Sequence, residues 1–413
     1  MRKLVLCGKL FDAVDGSVRE NMAIIVEQDR ITEITPKAGL AIRPDDELID
    51  LSRHFVMPGL IDAHVHLGMS GFPAIREPDE PAEFVAAKAL KNAKDNLLGG
   101  FTTVRDEGYF TIQGCQSIRD AINAGFATGP RIFTSGMVIT QTAGHLEPRW
   151  TQERFGFQTL KPVNVANTPG EVVAAARHML KMGADQIKIM VTGGVLSKGT
   201  NVGEQNMSDE EIQAAVSVGK MHDRVVSAHA HGTEGIKAAA RAGVTVIEHC
   251  TTVDDEGIEL MLKNKVALVP TFIVLKLIAE KGAAAGVSMD AVEKSAALVP
   301  MHLHNIKKAY DAGVRVIFGT DTGTPLGYHG KQHQEFVLME QAGIAKTDIL
   351  LAATRYAAEL LGWQADIGTL EPGKYADIVA LPGDPFESME AMKQISFVMK
   401  GGRTVPITSA LSP

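Results

Sequence analysis

Leu60-Ile61-Asp62-Ala63-His64-Val65-His66 runs from two apolar, strand-forming residues directly into two histidines. Side chains alternate along a strand, so His64 and His66 fall on the same side. Two imidazoles so placed suit a divalent metal or, equally, a polar strand face, and the pair alone does not choose. The surrounding chain narrows the choice. From about Met57 to about Gly362, strand-like runs alternate with helix-like ones. The strand-like runs are Leu60-Ile61, Phe101 to Val104, Arg131 to Thr134, Gln186 to Met190, Val225 to Ala228, Val244 to Ile247, Val266 to Val269 and Val314 to Phe318. Amphipathic helices are predicted over Pro81 to Leu98, Pro169 to Met182, Ser208 to His222 and about Lys346 to Leu361. The third of these opens on the capping-box pattern Ser208-x-x-Glu211. Such alternation predicts an α/β fold of parallel βαβ units closed into a (β/α)8, or TIM, barrel; a doubly wound open sheet is the rival on pattern alone.

Both ends of the chain read differently. Leu4 to Cys7, Met22 to Val26 and Ile31 to Ile34 are short strands separated by turn residues. The same style returns at Ala376 to Leu381 and Gln394 to Met399, followed by the turn Gly401-Gly402. A small β-sandwich domain built from residues 1–56 plus 364–413 is therefore expected, flanking a barrel over 57–363. The 413 residues, 45% hydrophobic and 22% charged, are enough for both. A net charge of −8 without a basic run argues against nucleic acid and against an anionic membrane as partners. Cys7, Cys115 and Cys250 are too few and too scattered for a disulfide framework, and a cytoplasmic location is expected. The apolar run near the N-terminus is too short for a signal peptide, and no stretch of about 18 apolar residues suggests a membrane span.

Further polar groups recur at strand positions. Lys188 interrupts the apolar strand Gln186-Ile187-Lys188-Ile189-Met190. It either snorkels to solvent from a strand edge or is a neutral amine that has taken up carbon dioxide, giving a carbamate able to bridge two cations. Ala228-His229-Ala230-His231 and Ile247-Glu248-His249 each end a strand, and Phe318-Gly319-Thr320-Asp321 places a carboxylate after the last one. Strand C-termini of a barrel share one face, so His64, His66, Lys188, His229, His249 and Asp321 are expected to converge there as a metal site. Cys250 points the other way along its strand and reads as core. His178, His222, His302 and His304 lie on helical patterns and receive no role.

With these residues in place, the sequence resembles the amidohydrolase superfamily. The resemblance rests on Pro58-Gly59-Leu60-Ile61-Asp62-Ala63-His64-Val65-His66, the lysine strand, the two histidine strands, Gly319-Thr320-Asp321 and the closing Gly368-x-Leu370-x-Pro372-Gly373-x-x-Ala376-Asp377. Within it, Gly100-Phe101-Thr102-Thr103-Val104-Arg105-Asp106, Gln141-Thr142-Ala143-Gly144-His145 and Gly193-Gly194-Val195 look similar to a branch of Xaa-Pro and Xaa-Arg dipeptidases, carboxypeptidase-like enzymes and ochratoxin amidohydrolases. The resemblance implies two divalent cations, usually zinc. His64, His66 and Asp321 would hold one and His229 and His249 the other, with carboxylated Lys188 and a hydroxide between them. It also implies that His145 stabilises the scissile carbonyl and that Asp321 shuttles the proton. Some dipeptidases of this branch carry tyrosine where His231 stands, and Xaa-Arg-like relatives carry histidine, so a proline-specific assignment does not follow.

The expected substrate is a small molecule with a free carboxylate, a dipeptide or an N-acyl amino acid, whose amide bond is cleaved. His145, His231 and His329 are the expected substrate contacts, with Arg76, Arg149 and Lys198 as further cations in loops. The alternative is a cyclic-amide hydrolase or a mononuclear, imidazolonepropionase-like deaminase on the same scaffold; the lysine strand favours the binuclear reading. Nitrogen and oxygen ligands suit zinc, manganese and cobalt alike. Homo-oligomerisation stays open.

Overall fold

The apolar runs at the two chain ends pair with each other. A computed structural model describes residues 2–71, 80–108, 114–147, 164–197 and 199–407. The N-terminal part contributes β1 (Arg2–Phe11), β2 (Val18–Glu27), β3 (Arg30–Pro36) and β4 (Glu47–Pro58). The middle carries β5 (Leu60–Val65), β6 (Phe101–Asp106), β7 (Arg131–Thr134), β8 (Ile139–Thr140), β9 (Asn164–Val165), β10 (Gln186–Met190), β11 (Val225–Ala230), β12 (Val246–His249) and β13 (Ala267–Val269). The C-terminal part adds β14 (Ile378–Leu381), β15 (Phe397–Lys400) and β16 (Arg403–Val405). One seven-stranded sheet has the order β16-β15-β14-β4-β1-β2-β3, so both termini build it. Val5, Cys7, Ile24, Val26, Val56, Ile378 and Met399 belong to its own buried cluster, separate from the larger core of the middle.

In the middle, every strand pair among the described residues is parallel. The ladders run β5-β6-β7 in one sheet and β13-β12-β11-β10-β8-β9 in another. Backbone hydrogen bonds carry the order onward between them. Asp185 N donates to Thr134 O at 2.7 Å, joining the end of β7 to the start of β10. The expected strand Val314–Phe318 is not a regular one. It meets β13 through a single parallel bridge, Leu268 to Val316, and reaches β5 where Ala63 N donates to Phe318 O at 3.0 Å.

Helices connect the strands: α1 (Ala82–Leu98), α2 (Gly114–Asn123), α3 (Pro169–Lys181), α4 (Asp209–His222), α5 (Thr233–Ala242), α6 (Asp255–Asn264), α7 (Phe272–Lys281), α8 (Met289–Asp311), α9 (His333–Gln341), α10 (Lys346–Ala352) and α11 (Arg355–Leu360). The capping box at Ser208 and Glu211 is formed in both directions. The single helix expected over Lys346 to Leu361 is instead two, because its backbone is needed elsewhere. The Ala352 carbonyl accepts from Phe318 N and the Ala353 carbonyl from Ile61 N, tying the break to the strands. Among the described residues, no helix is long and apolar enough to cross a membrane.

Candidate metal centre

The strands deliver the polar residues to one region. His64 lies near the end of β5 and His66 directly follows it, with their rings 5.3 Å apart, and Asp321 Oδ1 lies 3.4 Å from His64 Nε2 and 3.0 Å from His66 Nε2. Asp321 arrives through a close approach: a Cβ at Gly319 would stand 2.4 Å from Val269 Cγ1 and 3.0 Å from the His64 backbone N, so Gly319 must lack one. Asp62 ties the two segments together, accepting from His64 N, Thr320 N and Thr320 Oγ1. His229 and His249, near the ends of the adjacent strands β11 and β12, have rings 4.6 Å apart, and the His64 ring is 5.2 Å from that of His249. His249 and Asp321 adopt positive φ, 67° and 57°, a conformation that costs a non-glycine residue about 1–3 kcal/mol and here turns the strand ends.

Among the described residues, three groups of three have donor atoms within 4.8 Å of one another, and two of them lie at the strand ends: His64, His66 and Asp321, and His229, His231 and His249. Burial holds His229 and His249 well below the ordinary histidine range and lowers His231 to about 3, which leaves these rings neutral. The outward nitrogens are already engaged. His64 Nδ1 meets Glu248 Oε2 at 2.7 Å, His66 Nδ1 meets Gly108 O at 3.2 Å, His231 Nδ1 meets Thr251 Oγ1 at 2.8 Å and His249 Nδ1 meets Thr271 Oγ1 at 2.7 Å. His229 Nε2 is buried with no hydrogen-bond partner among the described residues. A buried imidazole nitrogen left unpartnered beside other histidines and a carboxylate is a donor set that fits divalent cations.

Lys188 lies in the middle of β10, level with Ser227, and is 1% exposed. It is not at a strand edge, which removes the snorkelling alternative. Its Nζ is 2.7 Å from Glu107 Oε2, and its charge acts on His64, His229, His249 and Asp321. His64, Glu107 and Glu248 also come within ligand distance of one another. Their charge is met from within the protein, however: Arg105 contacts Glu107 Oε1 at 2.9 Å and Glu248 Oε1 at 2.7 Å. Burial alone would raise both carboxyls; Arg105, and then Lys188, hold them below the usual range.

His145 follows β8 on a tight loop. Its ring stacks on that of His229 at 4.3 Å, and its Nδ1 is 2.7 Å from Ser197 Oγ. A Cβ at Gly194 would stand 2.1 Å from His145 Cε1, which explains a glycine there. His231 stacks on His249 at 4.5 Å. His329 does not fit its expected role. Its Nδ1 pairs with Asn96 Nδ2 at 2.8 Å and its Nε2 with Met69 O at 3.0 Å, so neither nitrogen is left for a substrate. Arg76, Arg149 and Lys198 lie outside the described residues. Cys250 is fully buried against Met261, as core. His302, whose helical pattern points to no role, reaches the site from α8: its Nε2 is 2.9 Å from His249 O.

Parallel βα units that bring histidines and a carboxylate together at their strand ends define an α/β enzyme scaffold with a candidate metal centre. The model of the amidohydrolase family matches residues 55–405. The ochratoxinase of Aspergillus niger is 32% identical over 420 residues, covering 94% of this chain and 84% of that protein. A crystal structure of a Xaa-Pro dipeptidase with bound methionine in the active site is 36% identical at a TM-score of 0.88, covering 98% of this chain and all of the other (100%). A prolidase complexed with N-methylphosphonate-L-proline is 30% identical at a TM-score of 0.89, with 98% and 99% of the two chains covered. The chain belongs to the amidohydrolase family. It is a hydrolase acting on amide carbon–nitrogen bonds.

Proposed function

We propose that the protein is a binuclear metal-dependent hydrolase that cleaves the amide bond of dipeptides or N-acyl amino acids. Its site sits on a (β/α)8 barrel over 57–363, with a small β-sandwich domain from 1–56 plus 364–413. The observation that carries this reading is the adjacency of the His64, His66, Asp321 group to His229 and His249, with Lys188 buried within electrostatic reach of both. His64, His66 and Asp321 would hold one cation, His229 and His249 the other, and Lys188, as its carbamate, would serve both; zinc is the metal we favour. When bound, such cations polarise the amide carbonyl and make water acidic enough to attack near neutral pH.

The chain's own groups do the rest. Asp321 accepts the proton of the attacking water and returns it to the leaving nitrogen, which an amide requires because its amine departs only when protonated. His145 is the donor for the carbonyl oxygen. Ser197 Oγ accepts from Leu146 N at 3.0 Å, so its own hydrogen is available to His145 Nδ1, leaving Nε2 protonated. Burial, which lowers His145 to about 3, keeps that ring neutral across the working pH range. His231 offers its remaining nitrogen to the substrate carboxylate. Gly194→Ala would push His145 off His229. Turnover is expected to fall about a hundredfold, the cost of one lost carbonyl-oxygen donor, at unchanged metal content. Kinetics with parallel elemental analysis check this, and normal turnover would remove His145 from the chemistry.

The relatives support the substrate class. One is named for ochratoxin, and two solved structures are a dipeptidase and a prolidase, the former with methionine in its active site. The test is a screen of dipeptides and N-acyl amino acids, each with a free and an amide-blocked C-terminus. Blocking should lower kcat/KM at least about tenfold, since a charge-assisted contact is lost. Equal cleavage of both forms, or reaction of cyclic amides and aminated rings only, would contradict the proposal.

A further inference from the structure

A buried ion network lies against the histidine cluster. Arg105, Glu107 and Glu248 are all 0% exposed. Arg105 Nε donates to Ala63 O at 2.6 Å, beside His64, and its Nη2 donates to Glu248 Oε1 at 2.7 Å. Ser227 Oγ lies 2.8 Å from Glu248 Oε1 and 2.7 Å from Glu107 Oε2. Gln186 Nε2 donates to Glu107 Oε1 at 2.8 Å. The other Glu248 oxygen, Oε2, faces His64 Nδ1 at 2.7 Å. One carboxylate thus accepts on both oxygens: from a guanidinium on one, where the Ser227 hydroxyl shares its single hydrogen with Glu107, and from an imidazole on the other.

We propose that Glu248, oriented by Arg105 and Ser227, is a positioning residue that fixes the His64 tautomer. A carboxylate facing Arg105 can only accept, so His64 must carry its hydrogen on Nδ1 and present the Nε2 lone pair toward His66 and Asp321. The inference rests on the metal reading above and deepens it. Glutamine cannot replace Glu248 in this arrangement, because it has one acceptor oxygen and one donor nitrogen. If its oxygen serves Arg105 and Ser227, its amide hydrogens meet His64 Nδ1, and the ring proton moves to Nε2, where a cation should bind. If the amide is turned round, two donors face each other in a buried space.

The test is zinc binding to the full-length protein, measured by competition with a chromophoric chelator. The wild-type chain should show two sites. Glu248→Gln should weaken one of them about 10- to 100-fold, the usual loss on removing the partner of a ligating histidine, and leave the other close to its wild-type affinity. A purely structural role would lower the thermal midpoint without selecting one site. Should the variant fail to fold, the 15N-histidine spectrum of zinc-loaded wild-type protein tests the same point: His64 should carry a proton on Nδ1. Folded Glu248→Gln with two sites of wild-type affinity, or His64 without that proton, would overturn the role of Glu248 alone. A wild-type chain that binds no zinc would overturn the metal reading and this inference with it.

Discussion

Asp321→Asn is expected to fold and to lose turnover by about a hundred- to ten-thousand-fold, the range associated with a positioned acid–base group. The amide is nearly the same size as the carboxyl, and the backbone contacts that seat residue 321, its N–H to His64 O and its O to Thr324 Oγ1, do not involve the side chain. What changes is that an amide cannot take a proton from water and hand it to the leaving amine, and that it would hold the cation shared with His64 and His66 more weakly, so turnover is read with metal in excess. The loss should therefore lie in kcat more than in KM. Near-normal turnover in a folded, metal-loaded variant would remove Asp321 from the proton path.

Lys188→Ala should have the second large effect, and on two properties at once. Activity should fall to near background, because the anion that would serve both cations is gone. The metal-free protein should also be destabilised, but by less than the about 3–5 kcal/mol of a wholly broken buried pair, because Glu107 loses the cation 2.7 Å away yet keeps Arg105 at 2.9 Å. The two effects separate on adding a short carboxylate such as formate or acetate. Part of the activity should return, since only the terminal anion of a carbamate is needed. Unchanged activity and metal content in Lys188→Ala would leave Lys188 as a structural lysine paired to Glu107.

Much of this arrangement was legible in the sequence, because strand periodicity and strand-end histidines are local signals. The apolar runs from Leu60 to Val269 became strands within a few residues of their expected bounds, and His64, His66, His229, His249 and Asp321 were brought together. Local reading failed where long-range hydrogen bonds decide. The run Val314–Phe318 is an irregular bridge segment, and the helix after it breaks because the Ala352 and Ala353 carbonyls serve Phe318 and Ile61. His329 looked like a residue of the site mouth, but Asn96 and Met69 use both its nitrogens. His302 lies on a helical pattern that gives no role, and only the packing of α8 brings it to the backbone of His249. Glu248 carries the same signal as Lys188, a charged residue after apolar strand residues, whereas Arg105 sits in the mixed strand Phe101–Asp106 and gives none. A lysine in that setting has an obvious chemistry, whereas an arginine and a glutamate explain each other only once their 2.7 Å contact is seen.

The proposed site would hold a pair of cations within one chain. Elemental analysis of protein prepared with zinc and bicarbonate, referenced to protein concentration and read alongside activity, tests it most directly. About two metal ions per chain are expected at full activity, with activity rising as the second is loaded, since a pair of cations would supply both carbonyl polarisation and an acidic water. A ratio near one at full activity would contradict this expectation and favour a mononuclear site.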